Sequence, residues 1–155
     1  MKLYLVQHGE AAVRQGESER SLTEKGISNL LKMTAFMDIH AGFSVGAIYH
    51  SGILRARQTA EILAEHIKPP VKLQETDGLA PMAQPEIWAE RLREMNEDTM
   101  LVGHMPHMSR LPSYLVTGND EAGVVMIHNG GITCLSRDPG GHWSVVWVVT
   151  PNILK

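Results

Sequence analysis

Hydrophobic residues in this chain arrive in short runs separated by longer, striped stretches. The runs at 2–7, 45–50, 71–73, 100–102, 124–127, 132–136 and 143–149 have the length and the β-branched or aromatic content of strands. Between them, 23–40, 55–66, 85–96 and 106–117 predict helices. In the first of these, Ile27, Leu30, Leu31, Thr34, Ala35 and Met37 recur at near-helical spacing, with Ser21 and Thr23 as cap candidates and Gly42 past the end. Pro85 suits the first turn of the third, whose apolar face collects Ile87, Trp88, Leu92 and Met95. Strand and helix alternate four times, which predicts a parallel sheet with helices on both faces. After Thr117 the pattern becomes strand, Asn129-Gly130-Gly131, strand, Asp138-Pro139-Gly140-Gly141, strand. Such glycine-rich turns predict hairpins, so the last strands are expected to be antiparallel. The expected fold is a three-layer α/β sandwich with a mostly parallel central sheet. No repeat or long linker interrupts it, and residues 1–155 are expected to form a single domain.

Composition narrows the function classes. A chain of 155 residues, 43% hydrophobic and 20% charged, has ordinary values for a globular protein. A net charge of -3 gives no support to nucleic-acid binding or to a polybasic membrane role. With Cys134 as its single cysteine, the chain has no intramolecular disulfide and no cysteine-rich zinc site. Cys134 sits among apolar neighbours in an expected strand and reads as a small buried hydrophobe. The apolar run at 2–6 is too short for a signal-peptide core and no stretch reaches membrane-spanning length, so a cytoplasmic location is expected.

The chemistry is concentrated at strand ends. The first strand runs into Gln7-His8-Gly9-Glu10 and the fourth into Gly103-His104-Met105-Pro106. Ligands of open α/β sheets bind outside the carboxyl ends of the strands. Two histidines delivered there from opposite ends of the chain predict a catalytic crevice. Two further segments belong with them, Arg20-Ser21-Leu22-Thr23 and Ser51-Gly52-Ile53-Leu54-Arg55-Ala56-Arg57-Gln58-Thr59-Ala60. Taken in order and spacing, the four segments resemble the signatures of the histidine phosphatase superfamily. Those signatures are Arg-His-Gly, an arginine inside Ser-x-x-x-Arg-Ala-x-x-Thr-Ala, and a late Gly-His. Within it the chain is most similar to the compact SixA-type phosphohistidine phosphatases, with a phosphoglycerate mutase-like fold.

That resemblance implies roles. His8 matches the family's nucleophile, which takes the phosphoryl group as a phosphohistidine. His104 matches the second histidine, which stabilises charge on the phosphoryl oxygens in the transition state. Arg55, past the second strand at a helix N-terminus, and Arg20, in the loop before the first helix, are the expected phosphate ligands. Gly9 and Gly103 let backbone come close to a bound phosphate. The implied substrate is a phosphohistidine-bearing protein and the product inorganic phosphate. No cofactor or metal is implied, since arginines and histidines supply the positive charge.

Two departures matter. Gln7 stands where the signature has its first arginine, keeping amide donors but losing charge and fork. The substitution keeps open a catalytically weak phospho-binding module; a small-molecule phosphomonoesterase is the other alternative. Larger relatives carry a proton-donating glutamate in a Leu-x-Glu context, and here Leu79-Ala80-Pro81 puts Pro81 in that place. Alkoxide leaving groups need such an acid. An imidazole leaving group carries its own proton, so the departure favours a P–N substrate. Glu75 and Asp77 remain candidate donors. The short 74–84 connection lacks the covering insertion of mutase-like relatives, so the crevice is expected to be open.

Other candidates read more plainly. Arg57, two positions from Arg55, is expected on the helix surface. His50 borders the crevice, as liner or packing. His107 follows His104 by three residues, but no third residue completes a zinc set. His40, His66, His128 and His142 are expected at the surface.

Overall fold

A computed structural model describes residues 1–13, 16, 19–40, 43–67 and 71–154. Among these residues six strands alternate with four helices. These are β1 (Lys2–Gln7), α1 (Glu24–His40), β2 (Ala47–His50), α2 (Leu54–His66), β3 (Lys72–Glu75), α3 (Pro85–Glu94), β4 (Thr99–Gly103), α4 (His107–Thr117), β5 (Ile132–Arg137) and β6 (Trp143–Val149), followed by a 3-10 turn at Pro151–Ile153. The strands form one sheet in the order β3-β2-β4-β1-β5-β6. Pairs β3–β2, β2–β4 and β4–β1 are parallel, whereas β1–β5 and β5–β6 are antiparallel. The mixed sheet agrees with the expectation of parallel strands first and antiparallel strands last.

Alternation along β1 explains the layers. Tyr4 and Val6 face a core built with Met33 and Met37 of α1 and Ala56, Ala60 and Leu63 of α2. Leu3 and Leu5 face the other side, against Trp88 and Leu92 of α3 and Met108 and Leu111 of α4. Thr23 caps α1, its Oγ1 accepting from the Gly26 amide at 3.0 Å. The expected stop signal Gly42 lies outside the described residues. Pro85 opens α3, as expected. Strand β3 sits later than expected, at 72–75, and α3 ends two residues early.

One expected strand is absent. Residues 124–127 run beside α4 outside the sheet. Val125 and Ile127 are buried while Val124 and Met126 are 38% and 77% exposed, which produced the alternating pattern. Their backbone partners come from helix side chains: Ser109 Oγ donates to the Val125 carbonyl at 3.0 Å, and the Val124 amide donates to Ser113 Oγ at 3.2 Å. An extended segment docked on a helix buries the same alternate residues as a strand, so hydrophobicity cannot separate the two. Asn129-Gly130-Gly131 is therefore no hairpin tip.

Candidate active site

Register brings the two histidines together. Gln7 and Gly103 are partners on adjacent parallel strands, so His8 and His104 leave the sheet side by side. The His8 amide donates to the Gly103 carbonyl at 3.0 Å. The two imidazole centroids stand 5.1 Å apart, tilted at 55°. Both residues are buried, His8 at 6% exposure and His104 at 1%.

Hydrogen bonds define the tautomer of His8. Its Nδ1 lies 2.7 Å from the Gly9 carbonyl, which only accepts, so Nδ1 carries the proton. Arg55 Nε donates to Nε2 at 3.2 Å, and a guanidinium only donates, so Nε2 presents its lone pair. Both contacts give the same neutral imidazole. Arg55, 4% exposed, comes from the first turn of α2. One turn later Thr59 Oγ1 accepts from the Gly9 amide at 3.0 Å and donates to the Arg55 carbonyl at 2.7 Å. A single helix thus positions both the loop behind His8 and the arginine before it.

His104 Nε2 meets Ser51 Oγ at 2.7 Å, and that hydroxyl accepts from the Ile53 amide at 3.3 Å. Its Nδ1 is buried without a hydrogen-bond partner among the described residues. Burial, followed by the nearby His8, Arg55 and His107, lowers its pKa to about 3. It is neutral at ordinary pH.

Both glycines have a packing reason in the structure. A Cβ on Gly9 would stand 3.0 Å from Leu30 and 3.1 Å from Leu22, and the Gly9 amide is engaged by Thr59. On Gly103 it would meet Met108 at 2.9 Å and the Leu79 carbonyl at 3.1 Å. Close helix packing explains both residues.

Among the other expected residues, Arg20 sits in the β1–α1 connection with Nε donating to the Ala12 carbonyl at 2.6 Å. Gln7 follows Leu3 and Leu5 toward the α3–α4 face by strand alternation, is 6% exposed, and has a buried Oε1 with no hydrogen-bond partner among the described residues. Arg57 lies at the surface with Glu61 at 3.7 Å, as expected. His50 is buried and its Nδ1 accepts from the Gly52 amide at 3.1 Å, a turn-forming role. His107 is fully buried, and neither ring nitrogen has a hydrogen-bond partner among the described residues. His128 and His142 are exposed and His66 is half-buried; nothing is described of the His40 side chain. Cys134 is buried, and its thiol is pushed up to about 11 by burial. Among the described residues, no group of three His, Cys, Asp or Glu side chains is arranged to hold a metal ion.

Two contributors escaped the sequence. Asn129 Nδ2 donates to the His8 carbonyl at 3.2 Å, and the Gly130 amide donates to the Gln7 and His8 carbonyls at 2.9 and 3.1 Å. The Asn-Gly-Gly signal was visible but suggested a hairpin. A cleft of about 750 Å³ lies at the opposite end of the sheet, lined by Met1, Arg93, Tyr114, Arg137 and Trp143 among others. It contains none of the expected residues, and its Arg137 is committed to the Leu92 and Met95 carbonyls at the end of α3.

With His8, Arg55 and His104 converging at the ends of β1 and β4, comparison with known proteins becomes decisive. The pattern of the histidine phosphatase superfamily (branch 1) matches residues 3–84. The chain belongs to this superfamily. Family membership places it among the phosphatases. An uncharacterized protein of Picosynechococcus sp. is 33% identical over 144 residues, covering 84% of this chain and 86% of its own. Among solved structures, the protein histidine phosphatase SixA complexed with tungstate superposes with a TM-score of 0.87 at 23% identity, covering all of both chains. A second, a phosphohistidine phosphatase SixA assigned in Agrobacterium tumefaciens, gives 0.77 at 20% identity over 97% of each chain. A structure assigned as an alpha-ribazole-5'-P phosphatase from Escherichia coli gives 0.78 at 17% identity, over 97% of this chain and 96% of its own. At these identities the likeness is one of fold, the phosphoglycerate mutase-like sandwich.

Proposed function

We propose that this protein is a phosphohistidine phosphatase acting on a phosphorylated carrier or relay protein, with His8 as nucleophile. The observation that carries the proposal is the protonation of His8. Its Nδ1 proton is held by the Gly9 carbonyl while its Nε2 lone pair faces Arg55 at 3.2 Å. Nε2 attacks phosphorus in line and forms a P–N bond; the substrate's P–N bond breaks, and its electron pair stays on the departing imidazole. Water then adds oxygen to the phosphoryl group, His8 leaves with its lone pair restored, and the water's protons remain with inorganic phosphate. Arg55, Arg20 and the Gln7 amide hold the phosphate, and neutral His104 donates a hydrogen bond to its oxygens. For this Nε2 of His104 carries the ring proton, which it donates to Ser51 Oγ in the resting site and turns to a phosphate oxygen when substrate binds. The same proposal includes one catalytic domain spanning the chain and a cytoplasmic site of action. No helix among the described residues is long and apolar enough to cross a membrane.

A specific observation supports a second reading. The buried Gln7 Oε1 has no donor among the described residues, and the charge of the signature arginine is missing. With one cation fewer to stabilise the transferring phosphoryl group, a site that still binds through Arg55 and Arg20 turns over more slowly.

Rapid-quench trapping with a phosphohistidine protein tests both. The expected result is a transient phosphoryl group on His8, absent in His8→Ala, with release of inorganic phosphate. Label on another residue, or full turnover by His8→Ala, overturns the nucleophile. Binding without release favours the binding module, and turnover of aryl phosphates alone favours the phosphomonoesterase.

A further inference from the structure

We infer that Glu75 selects a phosphorylated imidazole as the group to be cleaved, by accepting a hydrogen bond from the ring nitrogen remote from phosphorus. The inference rests on the phosphohistidine proposal above and names how the leaving group is recognised.

Placement is the first argument. Glu75 ends β3 at the same end of the sheet as His8, and its register partner is His50 on β2. Its side chain is exposed. The carboxylate lies over Gly52, where an added Cβ would collide with it, and Gly52 holds a φ of 83° that suits glycine. Gly52 directly follows Ser51, whose hydroxyl meets His104 at 2.7 Å, and Arg55 begins three residues later. The carboxylate therefore stands on the rim of the crevice, outside the His8–His104 pair. The other candidate acid is already committed. Asp77 Oδ1 accepts from Arg91 Nη2 at 2.7 Å, its carbonyl accepts from Trp88 Nε1, and Arg91 holds its carboxyl below the usual range.

Proton bookkeeping is the second argument. A phosphorylated imidazole with an unprotonated remote nitrogen would depart as an imidazolate, a poor leaving group. With that nitrogen protonated it departs as neutral imidazole. An opposite charge within about 4–6 Å raises a cation's pKa by about one or more, so a rim carboxylate keeps this form populated. In the transfer, His8 Nε2 bonds to phosphorus and the electron pair of the substrate P–N bond returns to the leaving ring. The proton on the substrate's remote nitrogen stays in place, and so does the one on His8 Nδ1. The Gly9 carbonyl serves the incoming ring as Glu75 serves the leaving ring. No general acid is needed at Pro81. A phosphomonoester has no such nitrogen and gains nothing from Glu75.

The charged groups around Glu75 do not duplicate it. His50 faces it from β2, and burial lowers its pKa against the opposing pull of Glu75 and Glu61, with Arg57 of α2 acting in the same direction as burial. Lys72 and Asp77 flank it on its own segment, and Asp77 is taken by Arg91.

Glu75→Gln keeps the shape and removes the charge. We compare kcat/KM of wild type and variant on a phosphohistidine peptide and on para-nitrophenyl phosphate, with thermal midpoints as a folding check. The expected loss on the peptide exceeds that on the aryl phosphate by about tenfold or more. The alkaline limb of the peptide pH profile moves to lower pH, because the substrate ring loses its proton earlier, and Glu75→Asp recovers part of the rate. Equal losses on both substrates, or no loss on either, overturn the role of Glu75. A wild-type enzyme inactive on the phosphohistidine peptide overturns the underlying function proposal instead.

Discussion

Replacing Gln7 with methionine should make the protein more stable and a weaker phosphate binder. Gln7 is 6% exposed, and its Oε1 is buried with no donor among the described residues. A buried acceptor left unpaired costs about 1–3 kcal/mol. Methionine has nearly the same length and shape, so Gln7→Met removes the acceptor without opening a cavity. In a domain of this size each kcal/mol moves Tm by about 2–4 °C, giving a rise of roughly 2–12 °C in phosphate-free buffer. Binding should move the other way. Losing an amide donor to a phosphate oxygen is worth about 1.5–3 kcal/mol, or roughly 10- to 100-fold in Kd by calorimetry. Stability and function are then opposed at one side chain, as expected where a polar residue is retained for a ligand. A fall in Tm would mean that Oε1 has a donor after all and refute the stability argument. An unchanged Kd would remove Gln7 from the phosphate site.

Two further predictions test the supports. Thr59→Val keeps the shape but strands the Gly9 amide, so it should cost about 1–3 kcal/mol in urea denaturation and lower kcat, with Thr59→Ser recovering most of both; wild-type values in the valine variant would exclude the role of the hydroxyl. His107 is held down to about 4 by burial and then by Arg110, against a value of 6.5 when unperturbed. The unfolded chain therefore binds the extra proton between those values, and stability present at neutral pH is lost as pH falls from 6.5 toward 4, by about 3 kcal/mol. His107→Leu should flatten that slope, read from urea midpoints at several pH values, and an unchanged slope would count against it.

The parallel half of the fold was legible because its signals are local and repeated: apolar runs, caps such as Thr23, and Pro85 at a helix start. The candidate site could be proposed from sequence because glycine and histidine followed two of those runs. Register, which makes His8 and His104 neighbours across nearly a hundred residues, is carried by no local pattern; it depends on which strands pair. Residues 124–127 failed for a related reason, since burial on a helix and burial in a sheet leave the same alternation. The role of Thr59 was hidden differently. Its place in a quoted motif was plain, but the hydrogen bond that ties Gly9 to α2 exists only once both elements are packed.

The distribution of charge at the crevice connects these parts. His8 is neutral because a carbonyl and a guanidinium each dictate the state of one ring nitrogen, and His104 is neutral because it is buried, with the Arg55 guanidinium nearby. Positive charge is thereby concentrated on Arg55, whose Nε also occupies the nucleophile's lone pair. On the proposed chemistry, a phosphoryl group entering the site offers that guanidinium stronger, charge-assisted partners than an imidazole nitrogen. As Arg55 turns to the phosphate oxygens, Nε2 is released toward phosphorus. Substrate binding and exposure of the nucleophile then become one event, driven by the same side chain. The Thr59 hydroxyl keeps its hold on the Arg55 backbone throughout, so the exchange is made by the side chain while the helix stays in place.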